Sequence, residues 1–430
     1  LAGLIGWAIP GLATEAAGRD RPGADRSAAT SADAAGAPAA RVSGSGLLLV
    51  SAPDDAALWI VPSHDPRGAT RVAIRPQALA GTCASRDGRD AYVATQDGWV
   101  ARIDLHRGAR EVEVRVAERL SGIALAADGA HLAVASIDPP ALVVLDRALE
   151  PLRRLDAADD AGSARSPVVS VGHASARRSV VAALPALREV WEVSYDPGAQ
   201  DLPTGLIHDF RLREGAFVRG YLNPRRTRVE ESPEQLRVDP SAPTVLSADR
   251  LSPAVHVLHL DVRRRIGTLP LAGVPLLARA ASRDDGASRT WLVPLRGGGL
   301  ALVDPAGVRL RAGAATRAEI ATIATHERAA RAWVAYAPPG PGDLLEPVGA
   351  DGSIDGPGWR PVPDARVAAL AYLADGERLA VAVDGDGGDG RIAVHDAATQ
   401  REVWRLRVPR PAALLAVPRA DGGPDPVRPR

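Results

Sequence analysis

Residues 85–105 read SRDGRDAYVATQDGWVARIDL: a turn on Asp87-Gly88, a six-residue run able to form a strand, a second turn on Asp97-Gly98, and a second run ending near Asp104. Asp-Gly pairs suit tight hairpins because glycine enters the left-handed region without a steric penalty. The runs are rich in Val, Ala and Leu, are only five to seven residues long, and are punctuated by turn residues, which selects strand over helix. The same phrase returns through the chain. It occurs as SGSGLLLVSA with DAALWIVPS from Ser43, AADGAHLAVA with PALVVLDR from Ala126, SARRSVVAAL with REVWEVSYD from Ser175, and DPSAPTVLSA with PAVHVLHLD from Asp239. Three more follow: DDGASRTWLV with GGLALVDP from Asp284, HERAARAWVAY from His326 with a weak partner near DLLEPVGADG, and LADGERLAVAV with GRIAVHDA from Leu373.

Eight copies result. Marks at Gly88, Gly129, Arg177, Ala242, Gly286, Ala329 and Gly376 are separated by 41, 48, 65, 44, 43 and 47 residues, against a period of roughly 40–50 for propeller blades. No stretch of the body sustains a 3.6-residue apolar period with caps. The expected fold is therefore all-β, an eight-bladed β-propeller of four-stranded antiparallel blades over residues 43–415. Tryptophans 59, 99, 191, 291, 333 and 404 fall on expected strands and are read as packing between blades.

Composition removes several kinds of chemistry. All 52 basic residues are arginine, so P-loop and Schiff-base mechanisms, which need lysine, are excluded. Net charge is zero, which argues against a general nucleic-acid or anionic-membrane binder. The single cysteine, Cys83, allows no internal disulfide, and without a C-x-x-C-H there is no covalent c-type haem. Glu327 follows His326, but Ala330 stands where a zincin needs its second histidine. The loop from Asp384 to Gly390 has Gly388 and His395 at positions where a calcium loop needs oxygen ligands, and reads as a hairpin tip. His256 and His259, three apart on a strand, face opposite sides and cannot share a metal. His173, in VGHASARR, is read as a blade-turn residue.

The chain opens on LAGLIGWAIPGLATEA, too short to span a bilayer, and residues 1–17 read as the remnant of a secretory signal. Export to the periplasm, with no membrane span in the mature chain, is the expected location. Residues 18–42 lack any period and read as a flexible linker, and residues 416–430 as a disordered tail.

The step of 65 contains an insertion, placed at residues 196–240, and a long loop on a rigid ring is where binding residues collect. EVWEVSYDP (189–197), GLIHDFRLREG (205–215), GYLNPRRT (220–227) and HLDVRRRIGTLPLAGVP (259–275) resemble the cytochrome d1-haem propeller family, which includes the d1 domain of cytochrome cd1 nitrite reductases and periplasmic d1-haem maturation proteins. THERAARAWVAY (325–336) and IAVHDAATQREVWRL (392–406) resemble it too, so the likeness runs over about residues 45–410. The resemblance implies haem d1 or its precursor, bound non-covalently in the central opening, with no separate metal site. It also implies a c-type cytochrome or a nitrite reductase maturation protein as partner. His208 and His326 carry over as the polar or catalytic groups facing the ligand, and Arg211, Arg225 and Arg226 as forks for its carboxylates. Pairing of Arg225 and Arg226 with Glu230 and Glu231 is the competing reading.

The chain departs from the family where iron would be held. Leu79 or Ala80 stands at the place of the family's iron-ligating histidine, Leu276 follows Pro275 where relatives often have Pro-His, and Ala369 and Gln96 replace a further histidine and an arginine. The function implied is tetrapyrrole binding in d1-haem maturation or carriage, linked to nitrite reduction in denitrification. A haem-free propeller acting as a protein-interaction scaffold is the alternative, and nitrite reduction by the chain itself, an oxidoreductase activity, is a third reading.

Overall fold

The computed structural model describes residues 46–209, 214–284, 289–337, 344–354, 356–361, 366–385 and 389–418. The expected leader, the linker and residues 419–430 of the expected tail lie outside them, while residues 416 and 417 of that tail belong to the strand Ala413–Val417. Eight antiparallel sheets form the blades, and each of the eight repeats read from the sequence supplies the second and third strands of one blade, apart from blade 1, where it supplies the first two in chain order. Blade 2 shows the pattern: Leu79–Ala84 lines the central channel, followed outward by Asp90–Thr95, Trp99–Asp104 and Ala109–Arg115. Seven blades have four strands. Among the described residues blade 7 has three (Glu319–Ala324, Ala332–Ala337 and Glu346–Val348), with single bridges from Val348 to Ile354 and from Leu345 to Trp359 beyond them.

The middle strands are apolar throughout because they are covered on both faces. Val180 and Ala182 pack toward blade 3 while their neighbours Val181 and Ala183 pack toward blade 5. Eight separate apolar clusters form in this way, one at each contact between consecutive blades. Alanine at many middle-strand positions lets neighbouring sheets approach, and large residues fill what remains: Trp191 and Trp333 are almost completely buried. All six tryptophans named above lie on strands, as read. The outer strands alternate or face solvent, as Pro151–Asp156 does.

Ring closure is made by the last strand. Ala413–Val417 pairs with Leu47–Ala52 and becomes the channel strand of blade 1, so the first and last parts of the chain share one sheet. The Ser63 carbonyl adds a lock, accepting from Arg378 Nη1 (2.9 Å) and Trp404 Nε1 (3.1 Å) of blade 8. Similar clamps tie other blades: Arg147 of blade 3 donates through Nε to Asp90 of blade 2 (2.7 Å), and Arg177 holds Glu192 (2.6 Å) and Asp261 of blade 5. One turn depends strictly on glycine. Gly98 has φ 98°, and a Cβ there would sit 1.8 Å from the Ala117 carbonyl oxygen.

The insertion is smaller than read. Residues beyond Ser194 form an extra hairpin, Leu202–Asp209 with Glu214–Val218, before the chain rejoins blade 4 as its outermost strand, Pro224–Arg228, and starts blade 5 with Gln235–Val238. PRRTR lacks the alternation of a half-buried strand, which is why it reads as loop.

Candidate functional site

The first strand of each blade faces the channel, and these strands divide it into unlike halves. In blades 8, 1, 2 and 3 they read RVAALAY, ALLAV, LAGTCA and RLSGIAL, small and apolar with arginine only at their starts. In blades 4 to 7 they read SVGHA, QLRV, ASRD and EIATIA, and His173, Arg237 and Ser282 on them line a cavity, with Arg283 beside Ser282 on its strand. A cavity of about 370 Å³ opens against this second half, lined by His173, Arg237, Ser282 and Thr325 together with Val171 and Val238. Gly172 makes the local packing possible, since a Cβ there would lie 2.6 Å from a Val238 methyl.

Two arginines in this arc lack an acidic partner among the described residues. Arg237 donates only to backbone carbonyls, those of Ala278, Ala280 (3.4 Å) and Leu236 (3.5 Å). Burial lowers its pKa from the ordinary guanidinium value, with no carboxylate to oppose the shift. Arg283 donates from Nη2 to the Ala330 carbonyl (2.8 Å), while its Nη1 is buried without a partner. A buried cation left in this state costs several kcal/mol in general. Some buried acids are matched by arginine, as Asp90 and Glu192 are, while Asp97 Oδ1, like Arg283 Nη1, is buried without a partner.

His173 ends the first strand of blade 4. Its Nε2 accepts from the Ala127 N–H (3.0 Å) and lies 2.8 Å from the Tyr195 hydroxyl. Its pKa is lowered, chiefly by burial, then by Arg86, against a weaker raising effect of Asp128. His131 stacks on the same Tyr195 ring and bonds to Asp128 (2.9 Å) and the Tyr221 hydroxyl (3.0 Å). His173 thus belongs to the cavity and not simply to a turn.

His326 follows the first strand of blade 7, next to the cavity-lining Thr325. Its Nδ1 accepts from the Arg328 N–H (3.1 Å), its ring lies 6.2 Å from that of Tyr372, and Gly376 of blade 8 presses against it. His208 lies on the hairpin strand Leu202–Asp209, but its side chain, like the whole of Arg211, is outside the described residues.

Arg225 and Arg226 occupy the outermost strand of blade 4, three strands and about 14 Å from the channel strand at the usual spacing. Arg226 donates to Asp160 (2.7 Å) and the Ala158 carbonyl (2.9 Å), with its guanidinium 4.8 Å from the Trp191 ring centre. Arg225 reaches the Gln200 carbonyl at 3.5 Å. Glu230 and Glu231 pair with Arg265 instead. Leu79 and Ala80 lie on the first strand of blade 2, and Ala369 is buried on that of blade 8.

Arg237 and Arg283 were not singled out from the sequence. The available signal was an arginine inside the four-residue first strands QLRV and ASRD, where the interiors of the first strands of blades 8, 1, 2 and 3 carry small or apolar residues.

A family model described as cytochrome D1 heme domain matches residues 45–216. A dihydro-heme d1 dehydrogenase from Pseudomonas aeruginosa is 31% identical over 194 residues, 45% of this chain and 35% of that protein, so the aligned part is about a third of the relative's length. A solved structure of dihydro-heme d1 dehydrogenase NirN in complex with DHE superimposes with a TM-score of 0.74 at 26% identity, covering 86% of this chain and 75% of that one. The Saccharomyces cerevisiae protein Sqt1, at 9% identity and TM-score 0.59 over 78% of this chain and 87% of its own, shares the fold alone. Residues 45–216 thus match the cytochrome D1 heme domain, and the eight-bladed ring as a whole is similar to that of dihydro-heme d1 dehydrogenase.

Proposed function

We propose that the chain binds a carboxylate-bearing tetrapyrrole, haem d1 or its dihydro precursor, non-covalently in the cavity beside blades 4 to 7, and that it serves maturation or carriage of that cofactor. The observation that carries this reading is Arg237, a half-buried fork in the channel wall whose acceptors among the described residues are backbone carbonyls alone. A ligand carboxylate would take the place of the missing acid through short charge-assisted hydrogen bonds. Arg283, with its orphaned Nη1, offers a second such contact one blade further on. His173, His326 and, from the blade 4 hairpin, His208 and Arg211 complete the proposed set, and Arg225 and Arg226 brace the outer strand. When bound, the macrocycle brings a conjugated ring with an acidic periphery and, with iron in it, a redox centre.

Residence in the periplasm, service to denitrification, and a c-type cytochrome or nitrite reductase maturation protein as partner belong to the same proposal. They rest on the family and on the apolar opening segment. A haem-free scaffold is favoured by one observation, the aliphatic residues Leu79, Ala80, Leu276 and Ala369 where relatives carry histidine. Nitrite reduction would need electrons from a partner, since no C-x-x-C-H is present.

Titrating the purified chain with d1 haem and recording the visible spectrum decides between them. A saturable shift with a raised melting temperature supports binding. An unchanged spectrum and melting curve would reject it in favour of the scaffold, and nitrite turnover with an artificial reductant would establish the third reading.

A further inference from the structure

We propose that this chain recognises its tetrapyrrole through the acidic periphery and that none of its described side chains is set to ligate the central metal, so that metal-free and metallated macrocycles bind alike. The inference rests on the function proposed above and goes beyond it, because it says what the site does not select.

The argument is about which nitrogen carries the proton. A backbone N–H can only donate, so an imidazole nitrogen that accepts from one must present a lone pair there, and in the neutral ring the proton sits on the other nitrogen. At His173 the Ala127 N–H claims Nε2, which leaves Nδ1 protonated. At His326 the Arg328 N–H claims Nδ1, which leaves Nε2 protonated. A metal needs the lone pair, and metal-ligating histidines show the reverse polarity, with the second nitrogen donating to a carbonyl or carboxylate. Both histidines next to the cavity are therefore set as hydrogen-bond donors. To ligate iron either would have to lose a second proton or abandon its backbone bond.

No other described side chain takes over. His131 has both nitrogens engaged by Asp128 and Tyr221, and His395 is buried against Trp359 between blades 7 and 8. Burial pushes the Cys83 thiol up to about 12, which keeps it from being a thiolate, and the Tyr372 hydroxyl donates to the Arg331 carbonyl. The chain contains no methionine and no lysine. The wall formed by blades 8, 1, 2 and 3, which would face the opposite side of the ring, offers aliphatic and small residues. The periphery, by contrast, meets Arg237 in the cavity wall, with Arg283 on the neighbouring channel strand.

The test measures equilibrium binding of coproporphyrin in its metal-free, zinc and iron(III) forms to the full chain, by quenching of tryptophan fluorescence. Dissociation constants within about threefold of one another are expected, with Arg237→Ala and Arg283→Ala weakening all three forms together by tenfold or more. The bound iron(III) form should keep a high-spin visible spectrum. Tighter binding of the iron form by tenfold or more, with a low-spin spectrum that disappears in His173→Ala, His208→Ala or His326→Ala, would overturn the proposal. If no form binds, the function proposed above falls and this inference with it; if only the iron form binds, the function stands and the inference alone fails.

Discussion

Replacing Arg237 with methionine separates a binding role from a structural one, because the two roles predict opposite changes in stability. Methionine keeps the length and apolar stem of arginine and removes the charge. In the ligand-free protein two effects compete. Relief of burying an unpaired guanidinium is worth several kcal/mol in general. Loss of the charged donor to the Ala278 carbonyl costs about 1.5–3 kcal/mol, and the bonds to the Ala280 and Leu236 carbonyls, at 3.4 and 3.5 Å, add little. The net expectation is a gain of about 1–2 kcal/mol without ligand, and so a modestly raised melting temperature. Affinity should move the other way. One charge-assisted hydrogen bond is worth about 1.5–3 kcal/mol, which is roughly a 10- to 150-fold weaker dissociation constant. Thermal melts with and without tetrapyrrole, alongside a spectral titration, read both quantities on the same samples. A variant that melts lower than the parent and binds with unchanged affinity would refute the reasoning, since Arg237 would then be a brace for the turn at Leu277–Arg279.

His173 and His395 both have pKa values lowered mainly by burial; between the folded value and about 6.5 the unfolded chain holds more protons, so their stabilisation is complete above about pH 6.5 and is lost as pH falls. Melting temperature should drop on acidification below pH 6.5, and His395→Gln should flatten that slope; an unaltered slope in the variant contradicts the assignment. Deleting residues 412–430 removes Ala413–Val417 and leaves Leu47–Ala52 as a bare apolar edge, so light scattering should detect association at concentrations where the full chain stays monodisperse. Cys83, raised to about 12 by burial, should resist a thiol reagent at pH 8 in the native state and react at once in denaturant; rapid native labelling would show that the contact between blades 2 and 3 opens.

The ring was legible in the sequence because its strongest constraint is repeated eight times. A strand covered on both faces must be apolar at nearly every position, as SVVAAL and LLLVSA are apart from one serine each, and the turns that feed it need residues tolerant of positive φ. The site was far less legible, for a physical reason. Channel strands are short, and their side chains answer to a ligand and not to a neighbouring sheet, so no period marks them. QLRV and ASRD therefore carried no signal, while PRRTR drew notice because GYLNPRRT resembles a family motif. Adjacent arginines on an edge strand point to opposite faces: Arg226 turns toward blade 3, and Arg225 reaches the Gln200 carbonyl at the start of the hairpin. His173 was underrated because its sequence context is that of any strand end; only the approach of Ala127 and Tyr195 from blade 3 and the end of its own third strand shows what holds its ring.

The division of the channel gives the ring a property that eight equal blades would lack. A repeated sheet around an axis presents the same surface in every direction, so a flat ligand could settle in any of eight rotations. Small apolar strands on one arc and His173, Arg237, Ser282 and Arg283 on the other break that equivalence. An acidic edge turned toward the aliphatic arc would lose its water without gaining a partner, at a cost of several kcal/mol per carboxylate, whereas the other arc meets it with two unpaired cations. Orientation is thus set by where the penalty falls as much as by the contacts made. Arginine introduced on the apolar arc, as Ala371→Arg, should weaken that bias. With a tetrapyrrole that carries acids along one edge only, it should lower the induced circular dichroism of the bound form without a matching loss of affinity; an unchanged signal would show that something other than charge placement holds the ring in register.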